Sequence, residues 1–98
     1  MIELDARGWK TPLDFLRSLA GALGSPEGHG MSPDAFVDSM IWGGINRVQP
    51  PCTVKIKNIT DAPREVADSV SLLISTIKRA RQERFQRRGD DVPVDISA

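Results

Sequence analysis

Three short stretches in which apolar and polar residues strictly alternate constrain this chain more than anything else in it. Ile2, Leu4 and Ala6 alternate with Glu3, Asp5 and Arg7; Cys52, Val54 and Ile56 alternate with Thr53, Lys55 and Lys57; and Val92, Val94 and Ile96 are separated by Pro93 and Asp95. A period of two predicts strands with one buried face and one wet face. The segments between them read as helical, and the expected sheet is parallel, its strands joined by crossovers. Parallel strands are usually apolar on both faces, so alternation in all three implies that helices cover only one side. Right-handed crossovers in a sheet ordered 1-2-3 place every helix on that same side. The expected fold is a two-layer α/β domain with a three-stranded parallel sheet. Pro93 cannot donate to a ladder, which assigns the last strand to an edge.

The helical segments carry their own start and stop signals. Thr11-Pro12 pairs a capping hydroxyl with a preset φ, and Leu13, Leu16, Leu19, Ala20 and Leu23 recur at helical spacing until Gly24. Ser32-Pro33 repeats the signal and predicts a second helix from Pro33 to Trp42. Thr60-Asp61-Ala62-Pro63 opens a third, with a stripe of Val66, Val70, Leu73, Ile77 and Ala80 and no break until Gly89, about seven turns at 3.6 residues each. The expected core includes Leu16, Leu19, Phe36, Met40, Val54, Ile56, Val70 and Leu73.

Ninety-eight residues suffice for one hydrophobic core and are too few for two, so residues 1–98 read as a single domain. Lys and Arg number 13, as do Asp and Glu, and the whole chain therefore has no net attraction for nucleic acid. The distribution is uneven. Residues 78–88 hold 6 basic side chains against 1 acidic, and residues 89–98 hold none against 3, so any electrostatic function is local. No basic region followed by an apolar run opens the chain, and no stretch approaches the roughly 18 apolar residues of a membrane span. With Cys52 as the only cysteine, no intrachain disulfide can form, and the expected compartment is a reducing cytoplasm. One Cys and one His do not build a zinc site from a single chain, and no cofactor is expected.

The stretch from Pro26 to Gly44 carries the candidate chemistry. A loop containing Glu27, Gly28, His29 and Gly30 feeds the second helix, which ends on Trp42-Gly43-Gly44. At about 100° per residue, Asp34 and Asp38 fall about 40° apart on one face, while Phe36 and Met40 lie opposite with Val37 flanking them. Two readings stand for the acidic pair: a solvated first turn, or an anionic binding surface. For His29, the only histidine, the readings are an exposed loop side chain, an interface contact, and a catalytic or pH-sensing group. Trp42 is either a partly buried core residue or the edge of the surface that bears the aspartates.

Pro26, Glu27 and Gly30, followed by Asp34-Ala35-Phe36 and Asp38 at a helix start, resemble the signature of the barstar family, small intracellular inhibitors of barnase-type ribonucleases. A preceding run, Asp14-Phe15-Leu16 with Leu19-Ala20 and Leu23-Gly24, is similar too. The resemblance covers residues 2–59, and the last helix and strand by pattern. It implies the same two-layer fold and a basic protein as partner, a ribonuclease, whose cationic active site is plugged by the loop and helix. Asp34 and Asp38 would stand where RNA phosphates bind, and Glu27, Gly28, His29, Gly30, Val37 and Trp42 would complete the contact surface. Gly28, His29 and Val37 replace family aromatics, and Thr76 replaces an acidic contact on the last helix.

Two other classes compete with this reading. Lys78, Arg79, Arg81, Arg84, Arg87 and Arg88 suggest a nucleic-acid-binding module. Only Phe85 is interleaved for base stacking, and a solvated helix end favoured by the helix dipole is the simpler reading. Catalysis is not expected. Paired carboxylates need a cleft that separates their pKa values, and no phosphate loop, nucleophile elbow or dinucleotide fingerprint is present.

Overall fold

The three alternating stretches form one parallel sheet in the order β1 (Ile2–Asp5), β2 (Cys52–Lys57), β3 (Val94–Ser97), in a computed structural model that describes residues 1–98. Ile2 lies opposite Val54 and Leu4 opposite Ile56, while Cys52 faces Val94 and Val54 faces Ile96. The register therefore aligns every apolar position on one face. The other face carries Glu3, Thr53, Lys55, Lys57 and Asp95, all exposed, so its polarity leaves nothing to cover. Three helices cover the apolar face: α1 (Pro12–Leu23), α2 (Pro33–Val37) and α3 (Arg64–Arg88). All eight expected core residues are buried in one cluster beneath them.

Local chemistry fixes the boundaries. β1 stops at Asp5 because its carboxylate turns back to accept from the Arg7 guanidinium (2.8 Å), from Asn58 Nδ2 (2.9 Å) and from the Arg7 amide (3.0 Å). These bonds, the Arg7 side chain foremost, hold the Asp5 carboxyl far below the usual carboxylate range. α1 opens with a reciprocal cap: Thr11 Oγ1 accepts from the Asp14 amide, and Asp14 Oδ2 accepts from the Thr11 amide at 3.0 Å. Gly24, at φ 65°, closes it. Leu13, placed on the apolar stripe from its spacing, is 38% exposed; it sits in the first turn, outside the covered face.

Two expectations need correction. The second helix is α-helical only to Val37 and continues as a π-helical segment, Asp38–Gly43, in which the Gly44 amide bonds five residues back to Ser39 O at 3.2 Å. The reason lies at Gly43, where a Cβ would stand 2.5 Å from the Asp38 carbonyl oxygen, so only glycine allows the wider turn to close. The wider turn brings Ile41, about 140° from Phe36 on an ideal α-wheel, into the core alongside Ser39 and Met40. Secondly, β3 begins at Val94 rather than Val92. Pro93 lies just outside the strand, where its carbonyl accepts from the Cys52 amide (2.9 Å), and β3 is an edge strand as the proline requires.

At 25 residues α3 is about 37 Å long by its 1.5 Å rise, close to the 39 Å longest axis of the molecule. Ile59–Asp61 forms a separate 3-10 turn before it. α3 packs along both α2 and β3 and so sets what stands on either side of it.

Candidate functional site

The loop between α1 and α2 is shaped by a turn in which the Pro26 carbonyl accepts from the His29 amide (3.1 Å), with Gly28 at φ 87°. A positive φ at the third turn position is what selects glycine there. Gly30 then runs close to α2, since a Cβ on it would meet Ala35 Cβ at 3.1 Å. Glu27, Gly28 and Gly30 are exposed. His29 is not the fully exposed side chain expected of a loop. It is half-buried, its ring 4.6 Å from that of Phe36 and its Nε2 2.8 Å from Ser39 Oγ.

Ser32 caps α2 by accepting from the Ala35 amide (3.2 Å), and Pro33 takes the first helical position. Asp34 and Asp38 are both exposed, Phe36 and Met40 are buried on the opposite side, and Val37 lies between. Asp38 retains α-helical backbone angles (φ −60°, ψ −43°), so the two acids stay on one face although the π-helical segment starts there. Neither takes part in an ion pair.

Beside Asp34, α2 and α3 bound a groove of about 280 Å³ lined by Asp34, Val37, Thr76, Arg79, Ala80 and Glu83. The sequence reading singled out Thr76 only as a departure and missed Glu83. The signal was available, because Thr76, Arg79 and Glu83 recur at helical spacing, three and seven residues apart, along one flank of α3. What the sequence did not disclose is that this flank faces α2. Glu83 therefore joins Asp34 and Asp38 as a third carboxylate without an ion-pair partner.

Trp42 lines a different pocket from Asp34. It is half-buried beneath the end of α3, with the Arg84 guanidinium carbon 5.4 Å and that of Arg88 5.5 Å from its ring centroid. It lines a separate cleft of about 450 Å³ with Gly43, Gly44, Gln49, Arg84 and Asp90.

The basic end of α3 is not simply a solvated helix end. Arg81 makes a two-pronged pair with Asp91 (2.7 and 2.8 Å) and reaches Asp95 at 3.0 Å. Arg84 pairs with Asp90 (2.8 Å) and donates to the Ile41 carbonyl, which leaves its buried Nε without an acceptor. These bonds hold the Asp90 and Asp91 carboxyls below their ordinary range, through Arg84 and Arg81 respectively, and raise the Arg81 guanidinium. Lys78, Arg79, Arg87 and Arg88 make no ion pair, and they spread around the helix instead of lining one face.

Cys52 is buried and its thiol is pushed up by that burial, which removes the thiolate that reactivity requires. No group of three or more His, Cys, Asp or Glu side chains is placed to hold a metal ion, and no helix is long and apolar enough to cross a membrane.

Fold and geometry together define a two-layer α/β domain in which three exposed, unpaired acids stand close together on one short capped helix and the flank of its neighbour. Neither a protein-family model nor a curated protein matches the chain.

Proposed function

We propose that the protein is a divergent inhibitor of the barstar type. Its Glu27–Gly30 loop and the Asp34/Asp38 face of α2 would enter the cationic active site of a basic partner, a ribonuclease by that resemblance. One observation carries the reading: Asp34 and Glu83 line one groove and Asp38 stands a turn from Asp34 on the same helix face, all three exposed without ion-pair partners, whereas Asp5, Asp90, Asp91 and Asp95 are each tied to an arginine. Carboxylates held on capped, packed helices steer a cationic partner at long range and need little further ordering on contact. They meet guanidinium and ammonium groups much as phosphates do.

The partner is expected to differ in shape from barnase. Aromatic anchors carry much of an interface's energy, and Gly28 and Val37 stand where the family has them. Weak or no inhibition of barnase itself is therefore expected. The test is to immobilise the protein against extract of its own cells, identify what is retained and titrate it by calorimetry. Retention of a basic ribonuclease-like protein, displaced by RNA, is the expected result; retention of RNA alone would sink the proposal.

A further inference from the structure

Ser39 and Asn46 are the only buried polar residues in the molecule, 3% and 4% exposed, and both are wired to the loop between α1 and α2. Asn46 Nδ2 donates to Ser39 Oγ (3.2 Å), and Asn46 Oδ1 accepts from Ser25 Oγ (2.7 Å) at the start of that loop. Ser39 Oγ also lies 2.8 Å from His29 Nε2, near the loop's end. The other imidazole nitrogen, Nδ1, lies 2.6 Å from the Gly30 carbonyl, which can only accept, so Nδ1 carries a proton. Nε2 of a ring that carries its one proton on Nδ1 is an acceptor, and the Ser39 hydroxyl, which also lies 3.4 Å from the Phe36 carbonyl, donates to Nε2 at the shorter distance. Ser39 in turn accepts from Asn46, which satisfies the buried hydroxyl from both sides.

This network has a reason to exist. With Gly28 and Gly30 flanking His29, the loop has a large backbone entropy to lose, and the one local turn from Pro26 to His29 sets its shape without tying it to the helices. We propose that His29 is a positioning residue. Clipped to Ser39 and packed against Phe36 with the two rings tilted by 47°, it holds Glu27–Gly30 in one conformation before a partner arrives. The effect on binding rests on the function proposed above; the effect on the loop does not. A contact loop ordered in advance has less entropy to lose on association, which is the general origin of affinity gained by preorganisation.

Backbone ¹⁵N relaxation of the full chain without any partner tests the clip. Gly28, His29 and Gly30 are expected to show order parameters near 0.85, the range of rigid backbone, and to fall below about 0.6 in His29→Ala. His29→Phe keeps a ring against Phe36 but removes both hydrogen bonds, and it should loosen the loop as well. Ring ¹⁵N shifts should report the Nδ1–H tautomer in the unmodified protein. Unchanged loop order in either variant, a loop already mobile in the unmodified protein, or an Nε2–H tautomer would overturn the proposal. A loss of order spread evenly over α1, α3 and the sheet would overturn it too, because His29 would then be an ordinary core residue. Against a basic ribonuclease that the unmodified protein binds, His29→Ala should weaken affinity about tenfold. Failure of the unmodified protein to bind any such enzyme would strike the proposed function and leave the relaxation result to decide the positioning role.

Discussion

Arg84 lies over the indole of Trp42, its guanidinium carbon 5.4 Å from the ring centroid, and from that position donates to the Ile41 carbonyl and pairs with Asp90. One side chain thus ties the end of the π-helical segment, the long helix α3 and the approach to β3. The consequence reaches beyond local packing. An arginine that sequence alone offers to nucleic acid is already engaged within the fold, while the acids of α2 are left without partners.

Asp38→Ala is expected to weaken binding to the captured partner more than Asp34→Ala. Asp38 lies beyond the first turn of α2, gains less from the helix dipole, and has charge complementarity as its clearer justification. Both substitutions should leave folding stability within about 0.5 kcal/mol, as for other exposed sites. Calorimetric titration of both variants checks this, and unchanged affinity in both would remove the acidic face from the mechanism.

The core assignment is tested at Leu19 and Ile56, which are 0% and 2% exposed. Truncation of either to Ala should cost about 2–5 kcal/mol through lost transfer energy plus the cavity left behind. Denaturant unfolding measures it; losses well under 1 kcal/mol at both would mean that the core is wrongly assigned.

The turn from α2 into the π-helical segment depends on Gly43. Gly43→Ala places a methyl group 2.5 Å from the Asp38 carbonyl oxygen, which is backbone and cannot swing aside. A loss of about 1–3 kcal/mol is expected, as for other overpacked sites. Gly21→Ala provides the control, since its Cβ would meet nothing within 4 Å.

Acid sensitivity follows from the carboxylates with depressed pKa values, Asp5, Asp14, Asp90 and Asp91. Each binds its proton more weakly folded than unfolded. Its stabilising contribution is present above the unfolded value of about 3.9 and is lost as pH falls through the folded one. The melting temperature should therefore change little from these groups above pH ~5 and fall increasingly below pH ~4. Arg81→Met removes a partner of Asp91 and Asp95 and should flatten that acid limb; an unchanged limb would show that the pair contributes nothing to it.

Generic RNA should not be retained at physiological salt. Four or more neutralised phosphates on a single strand would give a salt slope of roughly −0.7 for each, and a steep slope abolished by charge reversal at Arg87 and Arg88 would overturn this expectation. Charge reversal at Arg81 should instead show as destabilisation, because its acidic partners are inside the same molecule.

Much of this protein was legible as text because the relevant physics is local. Alternation fixed which face of each strand is buried; Thr11-Pro12, Ser32-Pro33, Gly24 and Gly89 marked helix ends through hydrogen bonding and φ alone; and the stripe from Val66 to Ala80 fixed how α3 lies on the sheet. The Asp34/Asp38 pair could likewise be placed on one exposed face, since four residues span little more than one turn. What only the tertiary structure decided depends on approach between distant segments. Glu83 comes beside Asp34, His29 finds Ser39, and Arg81 and Arg84 meet Asp90 and Asp91 before β3 and Asp95 within it, across gaps of 6–14 residues. The π-helical segment belongs with these, because the α-helical period read from Pro33 onward contains no sign that Gly43 must close against Asp38. Periodicity describes an element's own faces, and charge pairing or a shared groove depends on which face of another element arrives opposite.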